Sequence, residues 1–428
     1  MIFYYILIVS LPLVSHRVFG FPIGPFTVEK YLGMFCLIYA LSYLAVRRSP
    51  PRLLSTGQAR AFLFFFLLAT ASHFTMGTQP TVRSMFLIYF SQALFFLTTL
   101  GVVDSVERLR RVLLVTVGSI TFASLYVLRE WQGGSATYGA DYRPGYVTGD
   151  SNFFSMSAVL CVPLVFYLIL QAGRRSDRIF WLGCLLVITA AIMVAASRGG
   201  FLALLAAMIW FAWHSNRRTR NFFLVGGVVA CIVLLSPLSA LDRLVHPTKD
   251  DRNATDARLV IWKGGLRMIL ENPVMGIGLG NFKETVGFYA KAEEMPEGEL
   301  VWRQAHNTYI EIAAEMGVPG LLCFLAILLL TFRSLSRVRR QTERSGPAFV
   351  HIAAKGIQAG LLGFALGAFF VSTQFLKMFW FMLFLSMCLP QLVASEKSLA
   401  STEQSAQPGK LRLRASDGAG RGQHALPA

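Results

Sequence analysis

Three observations predict an all-α, polytopic membrane protein with about twelve transmembrane helices and one large, partly helical loop outside the membrane. Of the 428 residues, 54% are hydrophobic and only 15% are charged, whereas soluble domains carry about a quarter charged residues. The apolar excess is arranged as repeated runs of about 20 residues, the length that crosses a hydrocarbon core. One long polar interval, from Asp242 to Gly320, interrupts this otherwise apolar chain.

The first run, Met1 to Val14, resembles a signal peptide in its apolarity. It lacks a basic start and a small-residue cleavage site, so it is expected to be a retained first helix. Further runs follow at 28–46, 60–76, 82–101, 111–128, 152–171, 179–197, 200–213, 222–241, 308–332, 348–372 and 375–394. The expected organisation is nine spans in residues 1–241, a large loop in 242–305 and three more spans in 306–394. Residues 395–428 are rich in Ser, Gln, Gly, Ala and Arg, and are expected to form a disordered cytoplasmic tail. No repeat with a fixed period and no second domain is evident.

Lys and Arg collect in cytoplasmic loops, so the cations orient the chain. With the amino terminus inside, the inner loops hold Arg47, Arg48, Arg52 and Arg60, then Arg108, Arg110 and Arg111. Arg174, Arg175 and Arg178 follow, then Arg217, Arg218 and Arg220, and last Arg333, Arg337, Arg339, Arg340 and Arg344. The opposite short loops hold only scattered cations, among them Arg17, Lys30, Arg83, Arg129, Arg143, Arg198 and Lys377. This alternation puts the interval from Asp242 on the outer side. It also accounts for the net charge of +17 without a nucleic-acid partner. The six cysteines (Cys36, Cys161, Cys184, Cys231, Cys323, Cys388) lie inside apolar runs without metal or redox spacing, and read as small packing residues.

Several stretches could carry chemistry. Ser197-Arg198-Gly199-Gly200 joins two apolar runs at the outer face, where a guanidinium faces either an anion or the headgroup phosphates. Thr255 to Asn272 predicts an amphipathic helix, capped by Thr255 or Asp256 and ended by Asn272-Pro273. Its apolar face is expected to be Leu259, Trp262, Leu266, Ile269 and Leu270, with Arg258, Lys263 and Arg267 off that stripe. Lys263 suits anionic lipid, and Arg267 fits either role. Gly276-x-Gly278-x-Gly280 lacks the strand and crossover of a nucleotide loop, so turn and packing glycines are expected. The patch Glu293, Glu294, Glu297 and Glu299 reads as a solvated loop, and no metal-ligand spacing is present, so no metal is expected.

His306 stands at the mouth of the tenth run, next to the face shared by Asn307, Glu311 and Glu315. A lone histidine there is commonly a polar cap. Nearby carboxylates, and arginines on the same side, open a catalytic reading. Gly317-Val318-Pro319-Gly320 should kink the run and free backbone groups that a pocket would satisfy.

At these residues the sequence resembles the O-antigen ligase and polymerase superfamily of bacterial envelope glycosyltransferases. The resemblance is carried by Ser197–Gly200, by Ala257-Arg258-Leu259-Val260-Ile261-Trp262, by Asn272-Pro273 through Gly280-Asn281-Phe282, and most specifically by Ala305-His306-Asn307-Thr308-Tyr309-Ile310-Glu311 through Gly320. Gly149-Asp150-Ser151-Asn152 is a weaker match, with Ser151 where the family often has proline. The likeness covers roughly Arg143 to Leu330.

This resemblance implies a GT-C-like fold in the bacterial inner membrane, with the active site facing the periplasm. It also implies a polyprenyl-diphosphate-linked glycan donor and a glycan, lipid A-core or glycoprotein acceptor. The implied reaction is metal-independent and inverting, without a cofactor: lipid A-core ligation, repeat-unit polymerisation or protein O-glycosylation. His306 would be catalytic, and Arg198 and Arg258 would bind the diphosphate. Arg267, Asn307, Tyr309, Glu311, Glu315 and Asn152 are supporting candidates. A transporter or flippase of lipid-linked sugars is the rival from another class. It should show mid-membrane charges and inverted repeats, but the charged candidates here gather in one loop and at span ends.

Overall fold

A computed structural model of the chain describes residues 1–13, 19–23, 26–46, 53–75, 80–138, 142–145, 149–214, 226–227, 249–290, 302–343 and 346–405. Its helices are α1 (Ile2–Ser10), α2 (Val28–Val46), α3 (Gly57–Thr75), α4 (Pro80–Val102), α5 (Val106–Tyr138), α6 (Ser151–Gln171), α7 (Arg175–Val194) and α8 (Arg198–Trp213). After them come α9 (Lys249–Glu271), α10 (Phe282–Tyr289), α11 (Thr308–Thr342), α12 (Ala348–Gly367) and α13 (Lys377–Ser405). A two-stranded antiparallel ribbon, β1 (Pro22–Ile23) with β2 (Phe26–Thr27), pairs Pro22 with Thr27 and Ile23 with Phe26 ahead of α2.

Among the described residues, eight helices are long and apolar enough to cross a membrane: α2, α4, α5, α6, α7, α11, α12 and α13. The chain is a multi-pass membrane protein. Three other expected runs are helical but fall short of that standard. α8 has 16 residues, α1 has nine, and α3 has the length but is diluted by Gln58, Arg60 and His73. The run at 222–241, apart from residues 226–227, and the glutamate patch Glu293–Glu299 lie outside the described residues.

The start of α13 is the central pillar. Met378 through Leu389 is apolar apart from Ser386 and is fully buried throughout, so this segment is ringed by protein rather than lipid. Trp380 anchors it among Phe62, Phe65, Tyr89 and Phe324, with ring centroids 5.2 to 6.5 Å away. The helix also runs on to Ser405, past the expected end of the last span at 394. Ser, Glu, Lys, Ala and Gln are all tolerated in helices, and no Gly or Pro interrupts before Pro408.

α12 lies against α6 and α8 through four glycines. Added Cβ atoms would lie 2.4 Å from Leu164 at Gly356, 2.6 Å from the Leu160 carbonyl at Gly360, 2.3 Å from the Ala203 carbonyl at Gly363 and 2.6 Å from Met156 at Gly367. Lipid tails are as apolar as leucine, so burial alone does not drive helices together in a bilayer. Close backbone approach over small residues does.

α9 forms, but begins at Lys249 rather than at a Thr255 or Asp256 cap. Its packed face also differs from the expected one. Ala257, Val260, Ile261, Gly264, Gly265 and Met268 are buried, whereas Leu259, Leu266 and Leu270 are 50%, 51% and 79% exposed. The reason is again glycine. Gly264 sits against the backbone of Ala290 and Gly265 against Ile310 and Phe282, so the flattest side of the helix meets the protein.

The kink in α11 is present, with Gly317 at φ 69° and ψ −178°. No pocket satisfies the freed backbone groups. The loop 273–281 does so directly. Ile277 N donates to Ala314 O (2.8 Å), Gly278 N to Glu315 O (3.1 Å) and Val318 N to Pro273 O (2.8 Å). Ser72 Oγ on α3 donates to both Met275 O and Glu315 O. Gly276 and Gly317 face this crossing, where added Cβ atoms would lie 2.3 Å from Glu315 C and 2.4 Å from Val274 O. Gly317→Ala should therefore lose about 2–4 kcal/mol, read as a lowered thermal midpoint in detergent. Gly33→Ala, whose Cβ meets nothing within 4 Å, should leave the midpoint unchanged or raise it.

Candidate active site

Segments that the charge alternation puts outside the membrane come together at one end of the bundle. The turn before α8 holds Arg198 at the first helical position, with Ser197 Oγ accepting from Gly200 N at 3.1 Å. Two contacts fix this turn. Arg143 donates through Nε to Ala195 O (3.3 Å) and through Nη2 to Asn152 Oδ1 (3.1 Å), and an added Cβ at Gly199 would lie 3.2 Å from Val371. Val371 also ties down the start of α11, because its carbonyl accepts from Thr308 Oγ1 at 2.7 Å. Thr308 Oγ1 in turn accepts from Thr373 N at 2.9 Å. The connection between α12 and α13 thus links the turn of Arg198 to the segment of His306.

His306 is half-buried. On one side, Ala305 O accepts from Trp262 Nε1 at 2.7 Å, joining the segment to α9 one turn from Arg258. On the other, Asn307 caps α11, its Oδ1 accepting from Tyr309 N (3.0 Å) and Ile310 N (3.1 Å). Burial first, and then the positive charge of Arg258, push the imidazole down from 6.5 to about 4. Arg303 adds to this effect and Asp150 opposes it. The ring is therefore neutral at neutral pH. Among the described residues, His306 (φ 49°) and Ala196 (φ 48°) are the two non-glycine residues with left-handed backbone. One is the candidate catalyst and the other lies two residues before Arg198. Strain of this kind persists only where the surroundings over-determine it.

The supporting candidates divide. Asn152 belongs to the outer cluster through Arg143. Arg267 is directed elsewhere, donating from Nη1 to Tyr289 O (2.7 Å) and tying α9 to the end of α10. The amide of Asn307 is a helix cap, and Tyr309 OH donates to Ala365 O at 2.6 Å, holding α11 to α12.

Glu311 and Glu315 are 2% and 1% exposed and lie behind the histidine. Gln374 Nε2 donates to Glu311 Oε1 (3.1 Å) and to Glu315 Oε2 (3.0 Å). Ser372 Oγ donates to Glu311 Oε2, and Phe282 N donates to Glu315 Oε1 at 3.3 Å. This carboxylate pair braces α11, the loop after α12 and the start of α10. Among the described residues, no three His, Cys, Asp or Glu side chains gather as a metal centre would require.

Sequence reasoning assigned no role to Asp150, Arg303, Ser372 or Gln374. Asp150 was legible as the cap of α6, where its carboxylate accepts from Asn152 N and Phe153 N. Ser151, the departure from the family's proline, donates through Oγ to Pro144 O at 2.6 Å. Ser372 and Gln374 were concealed because the runs on either side nearly abut.

The O-antigen ligase family model matches residues 182–325, from within α7 to within α11. The matched segment contains Arg198, Arg258 and His306. No curated protein matches the chain.

The electrostatics can be tested by NMR titration of His306 in nanodiscs. Its midpoint should lie near 4, rise in Arg258→Gln and fall in Asp150→Asn, following the signs of the two charges. A midpoint at 6.5 that neither substitution moves would contradict the arrangement.

Proposed function

We propose, from the match of the O-antigen ligase family model to residues 182–325, that this chain is a glycosyltransferase of that superfamily. It moves a glycan from a polyprenyl-diphosphate carrier to an acceptor hydroxyl at the outer face of the inner membrane. One observation carries the reading: a half-buried histidine whose segment is hydrogen-bonded to the helix of Arg258 through Trp262 and Ala305, with Arg258 near enough to add to the effect of burial on the ring.

In this mechanism the neutral imidazole of His306 takes the proton of the acceptor hydroxyl, whose oxygen attacks the anomeric carbon. The bond from that carbon to the diphosphate oxygen breaks, and polyprenyl diphosphate leaves. A single displacement inverts the anomeric centre. Charge grows on the diphosphate as the bond breaks, and the guanidinium groups of Arg258 and Arg198 meet its oxygens without requiring a metal. Asp150 stabilises the imidazolium that forms, which matches the sign of its effect on the ring. The polyprenyl tail lies along apolar walls open to the bilayer, and the acceptor is a glycan, lipid A-core or protein.

The buried carboxylates Glu311 and Glu315 are what a transporter of lipid-linked sugars would place in the membrane. They lie only ~4.5 and ~10 Å along α11 from its outer end, at 1.5 Å per residue. Their hydrogen bonds brace backbone and amide groups rather than line a path. Both points favour the enzyme.

In proteoliposomes with lipid-linked donor and acceptor, His306→Ala should lower glycan transfer by roughly 10²–10⁴-fold, the usual contribution of a general base. Arg258→Ala should abolish transfer at unchanged protein level. Substantial residual transfer by either variant would remove its residue from the catalytic assignment. Donor movement without a covalent product would replace the enzyme with a transporter.

A further inference from the structure

A second charged cluster lies at the opposite, inner end of the bundle, between the end of α11 and the start of α12. Arg339 and Lys355 are both half-buried and near enough to repel each other. His351 adjoins them, its Nδ1 placed 3.2 Å from Arg339 O and 3.1 Å from Thr342 Oγ1. Arg339 Nη1 donates to Gln358 Oε1 at 2.7 Å, and Gln358 Nε2 donates to Ser336 Oγ at 2.8 Å. Arg339 Nε is buried and has no hydrogen-bond partner. Tyr167 of α6 also faces Arg339. The acid within electrostatic range is Glu343, on the exposed side, with Arg340 beside it. Among the described residues, neither Arg339 nor Lys355 pairs with a carboxylate within salt-bridge distance.

Two like charges partly withdrawn from water, one with an orphan donor, are less favourable than a pair joined by an anion. The guanidinium fork suits a tetrahedral oxyanion. The cluster is also at the inner interface, where basic clefts between helices take anionic headgroups. We propose that this cleft binds one phosphate group, from either an anionic phospholipid headgroup or free phosphate, through Arg339 and Lys355. The site is remote from His306 and does not rest on the proposed reaction. By joining α11 to α12 at their inner ends, it complements the joint that Tyr309 and Thr308 make at their outer ends.

The test uses the full chain, purified and stripped of anionic lipid, and titrated with phosphatidylglycerol, phosphatidylcholine or inorganic phosphate. Thermal midpoint and native mass spectrometry give the readout. Phosphatidylglycerol should raise the midpoint and remain bound, and phosphatidylcholine should do neither. Arg339→Gln and Lys355→Gln should each weaken the apparent affinity roughly tenfold, the size expected for losing one charge-assisted hydrogen bond. Arg333→Gln and Arg337→Gln, which remove exposed cations of the same helix, should change it less than about twofold. An equal response to inorganic phosphate would assign the site to free phosphate. No response to either anion, or equal weakening by the Arg337 substitution, would overturn the site. Should Arg339→Gln fail to fold, Lys355→Gln carries the same comparison.

Discussion

The break in α11 is the constraint on which the end of the bundle that carries His306 depends. A transmembrane helix that stops hydrogen-bonding within itself must find other partners, because the bilayer core offers none. Here they come from the loop 273–281, threaded across the break so that its amides meet Ala314 O and Glu315 O while Pro273 O receives the amide of Val318. Only glycine fits at Gly276 and Gly317, where the two backbones cross. Glu315 then reaches from the helix to Phe282 N, and Gln374 links it to Glu311. The loop that follows α9 is thereby fixed to the helix that follows His306. This is how Arg258 and the histidine, 48 residues apart in sequence, are held as one unit.

That unit sets the electrostatics. Burial removes water from His306, and Arg258 opposes a second positive charge beside it, so both influences act in one direction. Asp150 acts the other way from the cap of α6. The general base proposed for His306 would need this balance: enough positive field to keep it unprotonated beforehand, and one carboxylate nearby to stabilise the imidazolium. The left-handed backbone at His306 and at Ala196 shows that the surroundings, rather than local preference, fix these positions.

Much of this was legible in the sequence. Run length marked the eight helices that are long and apolar enough to cross a membrane, and the segments of Arg143, Arg198 and His306, all expected outside, are joined in the structure. Gly317 and Pro319 announced the kink. Two of the failures share one physical cause, the reading of a helix face by its leucines rather than by its glycines. The helix carrying Arg258 was assigned the leucine stripe as its inner face, yet Gly264 and Gly265 meet the protein while Leu266 and Leu270 face outward. The glycines of α12 went unremarked for the same reason. The pocket expected at the kink is instead occupied by backbone, a pairing between segments more than 35 residues apart in sequence that no local pattern encodes. Ser372 falls at the end of one expected run and Gln374 just before the next, so neither stood out in the sequence.

Amide hydrogen exchange of the chain in nanodiscs tests the central claim most directly. A glycine-rich connection outside any helix ordinarily exchanges fast. If the loop seals the broken helix, the amides of Ile277, Gly278 and Val318 should exchange as slowly as those in the interior of α11. Exchange of these three amides at the rate of an open loop, with the rest of α11 protected, would contradict the account.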